Sequence, residues 1–326
     1  MKAVVITKAG GPEVLQVQEV PAPEPATGEI LVRVRAAGVN RADLLQRMGQ
    51  YPAPFGAPAN IPGLEYAGEV AALGMGARGW KVGDRVMGLV PGGACAELVT
   101  THEAVAMRVP PAWSFEQAAA VPEVFITAYD ALLRQMLLRA GERVLIHAVG
   151  SGVGTAALQL ATSIHARTFG TSRSAAKLER AARLGLEVAI DTSREDFVEV
   201  VREKTDGAGV DVILDLVGGP VLAGNIQVLA RAGRMIVVGL TGGRSAPIDL
   251  GAVLSKRLTI VGTVLRARTL NEKIAVTTAF VQDILPLLEA GMVQPILDRT
   301  YALSEAADAH RRLEDNASFG KLVLTV

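Results

Sequence analysis

The densest chemistry in the chain lies in the run Val144-Leu145-Ile146-His147-Ala148-Val149-Gly150-Ser151-Gly152-Val153-Gly154-Thr155, where an apolar stretch turns through glycines into a helix-forming segment. Backbone N–H groups at such a helix start, unobstructed by side chains, can approach a pyrophosphate, and the helix dipole favours the negative charge. The glycines fall at 150, 152 and 154, so the pattern is not a literal GxGxxG, and a plain tight turn would account for them taken alone. The strand before, the helix after and the βα units that follow supply the context in which a dinucleotide binds there. The Ser151 hydroxyl and the backbone of Val153 belong to the same candidate cradle.

A second cluster, Phe169-Gly170-Thr171-Ser172-Arg173-Ser174-Ala175-Ala176-Lys177, selects among dinucleotides. At the end of a second strand an NAD enzyme presents a carboxylate to the ribose diol. Here there is none. The hydroxyls of Thr171 and Ser172 with the cations Arg173 and Lys177 suit a 2′-phosphate, to which they offer charge-assisted hydrogen bonds. The cofactor expected is therefore NADPH, against the alternative that both cations are solvated at a helix start. Gly218 and the pair Gly239-Leu240, each after an apolar run, would let the dinucleotide approach the sheet edge, or serve as ordinary βα turns.

The elements that must position these groups are legible in the periodicity. Between Arg143 and Val264, short apolar runs alternate with helix-length amphipathic segments, which specifies a doubly wound parallel sheet of the α/β class. The apolar runs are Val144 to Ala148, Arg167 to Gly170, Val188 to Ile190, Val210 to Leu216, Met235 to Val238 and Leu258 to Val261. The first third reads differently. Ile30, Val32 and Val34 fall on one face of a run whose arginines face the other, and Gly/Pro punctuation separates similar runs, as in a β-rich domain. A short helix is expected over Asn40 to Met48, ended by Gly49, and the proline-rich Tyr51 to Gly56 should be a surface loop. Helices are expected over Ala279 to Ala290 and Ala306 to Glu314, and a closing strand over Lys321 to Val326.

The chain has 326 residues, enough for two cores. Lysine plus arginine and aspartate plus glutamate both number 33, so no net field draws it to nucleic acid or anionic lipid. Charges and turn residues interrupt every apolar stretch before it could cross a bilayer, and no leader pattern opens the sequence, so a cytoplasmic protein is expected. The single cysteine, Cys95, can form neither an internal disulfide nor a thiolate-rich zinc site. His102, His147, His165 and His310 lack ligand spacing, and His147 is read as packing beneath the glycine loop.

Five segments together carry a resemblance over essentially the whole chain: Gly38 to Asp43, Arg47 to Tyr51, Pro62 to Val70, Val82 to Val86 and Asn316 to Leu324. The sequence resembles the zeta-crystallin-type NADPH quinone oxidoreductases of the medium-chain dehydrogenase/reductase superfamily. The resemblance implies a GroES-like catalytic domain over 1–121, a Rossmann NADPH-binding domain over 122–268 and a return of 269–326 to the catalytic domain. It also implies an active site in the cleft beside the Rossmann domain and a homodimer joined through edge strands near Ile260. At the positions where zinc alcohol dehydrogenases supply Cys, His and Cys, this chain has Asn40, Leu64 and Glu123. Asn40 and Leu64 cannot build a tetrahedral thiolate and imidazole site, so the enzyme is expected to be zinc-free and to act on an acceptor that is already electrophilic.

A quinone fits, since hydride transfer needs aligned contact and stabilisation of charge developing on oxygen. Tyr51 either donates a proton to that oxygen or only covers the substrate. The resemblance implies that Asn40 contacts the nicotinamide ribose or the substrate, and otherwise it caps a helix. It places Thr127 near the carboxamide, Leu265 and Arg266 near the nicotinamide, and Lys321 toward the cofactor, the alternatives being a helix-interior threonine, a solvated basic turn and a surface-strand lysine. An NADPH-dependent alkenal or enone double-bond reductase is the alternative activity. A non-catalytic crystallin-like or RNA-binding protein is the alternative of another class, although charge neutrality and the lack of an aromatic-basic stripe disfavour RNA.

Overall fold

The alternation at Ile30 to Arg35 becomes part of a long strand in which Ile30, Val32 and Val34 are almost completely buried. In the computed structural model, which describes residues 1–326, the strands in chain order are β1 (Lys2–Ile6), β2 (Leu15–Glu19), β3 (Glu29–Val39), β4 (Glu65–Leu73), β5 (Arg85–Leu89), β6 (Leu98–His102), β7 (Ala106–Arg108), β8 (Arg143–Ile146), β9 (Arg167–Ser172), β10 (Val188–Asp191), β11 (Val210–Asp215), β12 (Leu229–Val237), β13 (Thr259–Gly262), β14 (Leu297–Ala302) and β15 (Lys321–Thr325). The α-helices are α1 (Arg41–Arg47), α2 (Phe115–Ala119), α3 (Pro122–Tyr129), α4 (Gly152–Ser163), α5 (Ala175–Ala182), α6 (Phe197–Lys204), α7 (Gly219–Val228), α8 (Leu250–Lys256), α9 (Leu270–Asp283), α10 (Leu285–Glu289) and α11 (Ala306–Glu314).

One unit comprises Met1–Ile126, Leu265–Glu289 and Pro295–Val326. Its main sheet has the order β14-β15-β3-β4-β5-β7, with β6 also on β3, and β1 pairs with β2 apart from it. The closing strand returns to the start of the chain: β15 runs antiparallel to β3 with Leu322 opposite Val39 and Leu324 opposite Ala37. Val4, Leu44, Tyr66, Val70, Val86 and Leu324 meet in its core, where each large apolar side chain contributes roughly 1.5–3 kcal/mol. One expectation is corrected here, and one strand is added. The segment 279–290 is not one helix: α9 ends at Asp283 and α10 follows, because Pro286 has no N–H to continue the ladder and is tolerated only in a first turn. Strand β14, with mixed polar composition, was not apparent in the pattern.

The other unit comprises Thr127–Val264 and Ala290–Gln294. Its six strands lie in the order β10-β9-β8-β11-β12-β13, all pairs parallel, which is a doubly wound sheet. The order reverses direction at β8, so the carboxyl ends of β8, β9 and β11 form the switch point at which such sheets bind ligands. Leu145, Phe169, Ile190, Val201, Ile213 and Met235 form its core.

Candidate active site

Helix α1 starts at Asn40, whose N–H donates to the Asp43 carboxylate at 2.8 Å, while the other oxygen of Asp43 accepts the Gly63 amide at 2.9 Å. Beside this reciprocal cap, fully buried Glu65 projects from β4. Its Oε1 accepts from Asn40 Nδ2 at 2.8 Å and from Lys321 Nζ at 2.6 Å, and its Oε2 accepts from the Glu123 amide at 2.7 Å. Gly38 leaves the room this needs, since a Cβ there would stand 2.2 Å from Glu65 Oε1. Lys321 also donates to Val39 O at 3.0 Å and to Asn40 Oδ1 at 2.6 Å. All three of its protons are thus spent inside this unit. Lys321 begins a strand, but it is buried rather than a surface lysine, and its ammonium is directed at Glu65 instead of outward to a cofactor. The Asn40 amide is likewise committed, and its backbone rather than its side chain serves the cap.

Glu123, at the start of α3, differs from its neighbours, because its carboxyl accepts no hydrogen bond from the chain. Burial, reinforced by Glu65, pushes it up to about 8 against the pull of Lys321. Burial also raises Asp43, to about 6, although the amides of Gly63 and Asn40 oppose it. A carboxyl that keeps its proton at neutral pH is a proton source.

Tyr51 lies in the irregular segment expected for it, and its phenol makes no hydrogen bond within the chain. Arg266 holds the loop: Nε donates to Pro91 O at 2.7 Å, one Nη to Gln46 Oε1 at 2.6 Å and the other to Tyr51 O at 3.4 Å, with Cζ 5.2 Å from the Tyr51 ring centroid. Arg266 is buried, not a solvated basic turn, and its guanidinium faces these loops. Burial raises the Tyr51 phenol, Arg266 counters this, and Glu123 adds to it, so the tyrosine stays protonated. Leu265 is buried beside Arg266. No three His, Cys, Asp or Glu side chains are grouped so as to hold a metal.

In the sheet unit, the turn after β8 is tied to β9 by Val149 N–H donating to Thr171 O at 3.0 Å. Its left-handed residue is Ala148 (φ 50°), not a glycine, at a cost of roughly 1–2 kcal/mol. The glycines serve close approach instead: a Cβ on Gly154 would lie 2.5 Å from Ala148 O and 2.7 Å from Val149 O. Ser151 caps α4, its Oγ accepting from the Gly154 amide at 3.0 Å. That leaves the Gly152 and Val153 amides, which have no intrahelical acceptor, at a partly exposed helix start beside buried Gly150. The Thr127 hydroxyl is buried and makes no hydrogen bond. Open helix-start amides and an orphaned buried hydroxyl are what a dinucleotide diphosphate and carboxamide would satisfy, so these residues fit such a group.

At the end of β9, Thr171 is buried, Ser172 half-buried and Arg173 exposed without a carboxylate partner. The Ser172 hydroxyl accepts from Ser174 N at 3.2 Å, and Ser174 caps α5 by accepting from the Lys177 amide at 3.4 Å. Gly218 (φ 86°) precedes α7, and Gly239 donates to Asp215 O at 3.2 Å with exposed Leu240 next to it.

The motif reading missed Asp43, Gln46 and Glu65 as members of these clusters and had Glu123 only as a replaced zinc ligand. A signal existed for two of them. Asp43 stands three residues after Asn40 in capping-box spacing, and Glu65 is a lone charge in the otherwise apolar Leu64-Glu65-Tyr66-Ala67.

Residues 26–130 match the alcohol dehydrogenase GroES-like domain family and residues 152–281 the zinc-binding dehydrogenase family. The chain is 34% identical over 324 residues to the quinone oxidoreductase of Pseudomonas aeruginosa, covering 99% of each. It is 33% identical over 341 residues to the synaptic vesicle membrane protein VAT-1 homolog of Rattus norvegicus, covering 99% of this chain and 84% of the other. Among solved structures, Escherichia coli quinone oxidoreductase complexed with NADPH is similar with a TM-score of 0.91 at 32% identity, both chains fully covered. CurK enoyl reductase is similar with a TM-score of 0.88 at 27% identity, covering 99% of this chain and 98% of that one.

Proposed function

Because the chain belongs to the medium-chain dehydrogenase/reductase superfamily, we propose that it is an NADPH-dependent reductase of quinones that works without zinc. The observation that carries the cofactor assignment is the first turn of α4, where the Gly152 and Val153 amides are left without acceptors, and the orphaned Thr127 hydroxyl supports it. Arg173, exposed and unpaired at the end of β9, is the cation for the 2′-phosphate, with Ser172 and Lys177 beside it. When bound, NADPH supplies a hydride from its nicotinamide ring.

The chain's own part is to orient the acceptor and to deliver a proton. Arg266 fixes the Tyr51 loop, and the phenol, free of other hydrogen bonds, donates to the oxygen that gains charge. Glu123, raised to about 8, is a second acid in electrostatic range of Tyr51. Asn40 and Lys321 act by fixing Glu65 and the start of α1. The proposed acceptor is planar and already electrophilic, since Asn40 and Leu64, where the zinc relatives carry ligands, cannot hold a metal to activate an alcohol.

The likeness to an enoyl reductase favours one second reading, reduction of an enone double bond, in which the same acids would protonate the enolate. NADPH oxidation measured against ortho-quinones, para-quinones and enones decides between them. Turnover of quinones is expected, and turnover of enones alone would overturn the quinone assignment. No helix is long and apolar enough to cross a membrane, and a cytoplasmic enzyme is proposed. Strand β13 is an edge of its sheet with Thr259 and Ile260 exposed, which supports a homodimer closed through that edge, and light scattering in solution tests it.

A further inference from the structure

Three residues at the carboxyl ends of adjacent parallel strands stand in one row. Ile146 of β8 is in register with Gly170 of β9 and with Leu214 of β11, so His147, Thr171 and Asp215 come next, side by side. They are joined under the switch point. His147 Nδ1 lies 2.9 Å from Thr171 Oγ1, His147 Nε2 lies 2.7 Å from Asn225 Oδ1, and Asn225 Nδ2 donates to Asp215 Oδ2 at 3.2 Å. The other Asp215 oxygen accepts the amides of Val217 and Gly218, both at 2.8 Å. None of the four side chains is more than 4% exposed.

The direction of every bond follows from one end. A carboxylate only accepts, so the Asn225 amide nitrogen faces Asp215 and its oxygen faces the imidazole. His147 therefore carries its proton on Nε2, and Nδ1 accepts from the Thr171 hydroxyl. Burial lowers the imidazole's basicity, which keeps it neutral, and Asp215 is the charged group nearest along the network. The edge of the Phe197 ring contact, at 5.1 Å between centroids and 88° between planes, fixes the ring orientation.

We infer that His147, held as the single Nε2–H tautomer, is a positioning residue for the dinucleotide, coupling the β9 end that reads the phosphorylated ribose to the 217–218 loop beyond β11. The inference rests on the NADPH reading above. The three strand ends it ties lead into the glycine turn, the Thr171 to Arg173 corner and the Gly218 loop, which are the segments assigned to the cofactor. Both ring nitrogens are bonded, Nδ1 to Thr171 at the end of β9 and Nε2 to Asn225 of α7, which in turn holds Asp215 at the end of β11.

The test uses adenosine 2′,5′-bisphosphate, which carries only the phosphorylated-ribose end, titrated into the full-length protein and its variants by calorimetry. Asn225→Leu sits across the relay from Thr171, so transmission through His147 predicts about tenfold weaker binding, within the usual range for coupled sites. Unchanged binding in Asn225→Leu overturns the relay. Should that variant fail to fold, 15N chemical shifts of His147 in the apo wild type decide: a pure Nε2–H tautomer is expected, and a mixture overturns the inference. Failure of the wild type itself to bind the probe would instead count against the NADPH reading.

Discussion

Replacing Lys321 by methionine tests the most buried charge pair in the chain. The ammonium lies 2.6 Å from Glu65 Oε1, with side-chain exposures of 4% and 0%, so neither charge has water to fall back on. Removing one partner of such a pair costs about 3–5 kcal/mol, chiefly because the survivor is left uncompensated. Glu65 would retain Asn40 Nδ2 and the Glu123 amide, which places the cost toward the lower end, but Val39 O and Asn40 Oδ1 would each lose a donor. For a unit of this size, a loss of that order lowers the melting temperature by roughly 6–20 °C. Urea and thermal denaturation of K321M and of the double variant E65Q/K321M measure it. The double variant should recover part of the loss, because it removes the uncompensated buried charge while the single amide oxygen can still accept one of the two bonds left to position 65. A loss in K321M below about 1 kcal/mol, the size of an exposed pair, would refute the reasoning, as would additivity in the double variant. The same proteins settle the cofactor question: with its protons committed internally, Lys321 is dispensable for NADPH, and E65Q/K321M should bind it as the wild type does.

Three further outcomes are expected. Y51F should lower kcat/KM for quinone by about 10²–10⁴ with little change in melting temperature, since the phenol bonds to nothing in the chain, and steady-state kinetics beside a thermal melt would expose an inert phenol. Glu123 is raised from its ordinary 4.5 to about 8, so between those values the folded protein holds a proton that the unfolded chain has lost. Stability should therefore fall as pH rises through that window, and E123Q should flatten the slope in urea titrations at pH 5 to 9, whereas parallel profiles would show that Glu123 ionises normally. R173A should weaken NADPH by roughly 1.5–3 kcal/mol, a charge-assisted bond's worth, and leave NADH unchanged; fluorescence titration giving equal losses would remove Arg173 from the phosphate site.

What could be read from the sequence divides by the distance over which each feature is encoded. The parallel sheet was legible because each βα unit repeats a local pattern, and the glycine turn because close approach at a helix start restricts side chains within a few residues. The left-handed residue there proved to be Ala148, which no local rule would select. The helix break at Ile284 was also local, and Pro286 marks it, but an apolar run on both sides masked it. Glu65 and Lys321 are different in kind. They stand 256 positions apart, and only the return of β15 onto β3 makes an otherwise prohibitive charge in an apolar strand tolerable. Taken alone, Lys321 reads as the start of a surface strand and Asn40 as a ligand-facing amide; together with Glu65 they satisfy one another. The only carboxyl of that cluster left without a partner is Glu123, which was read merely as a replaced metal ligand. Burial is the main cause that keeps it protonated, and Glu65 adds more than Lys321 takes away, so the structural pair also tunes the chemistry: the E65Q/K321M protein, in which both neighbours are neutral, should ionise Glu123 at lower pH, and an unchanged activity profile would separate the pair from the reaction.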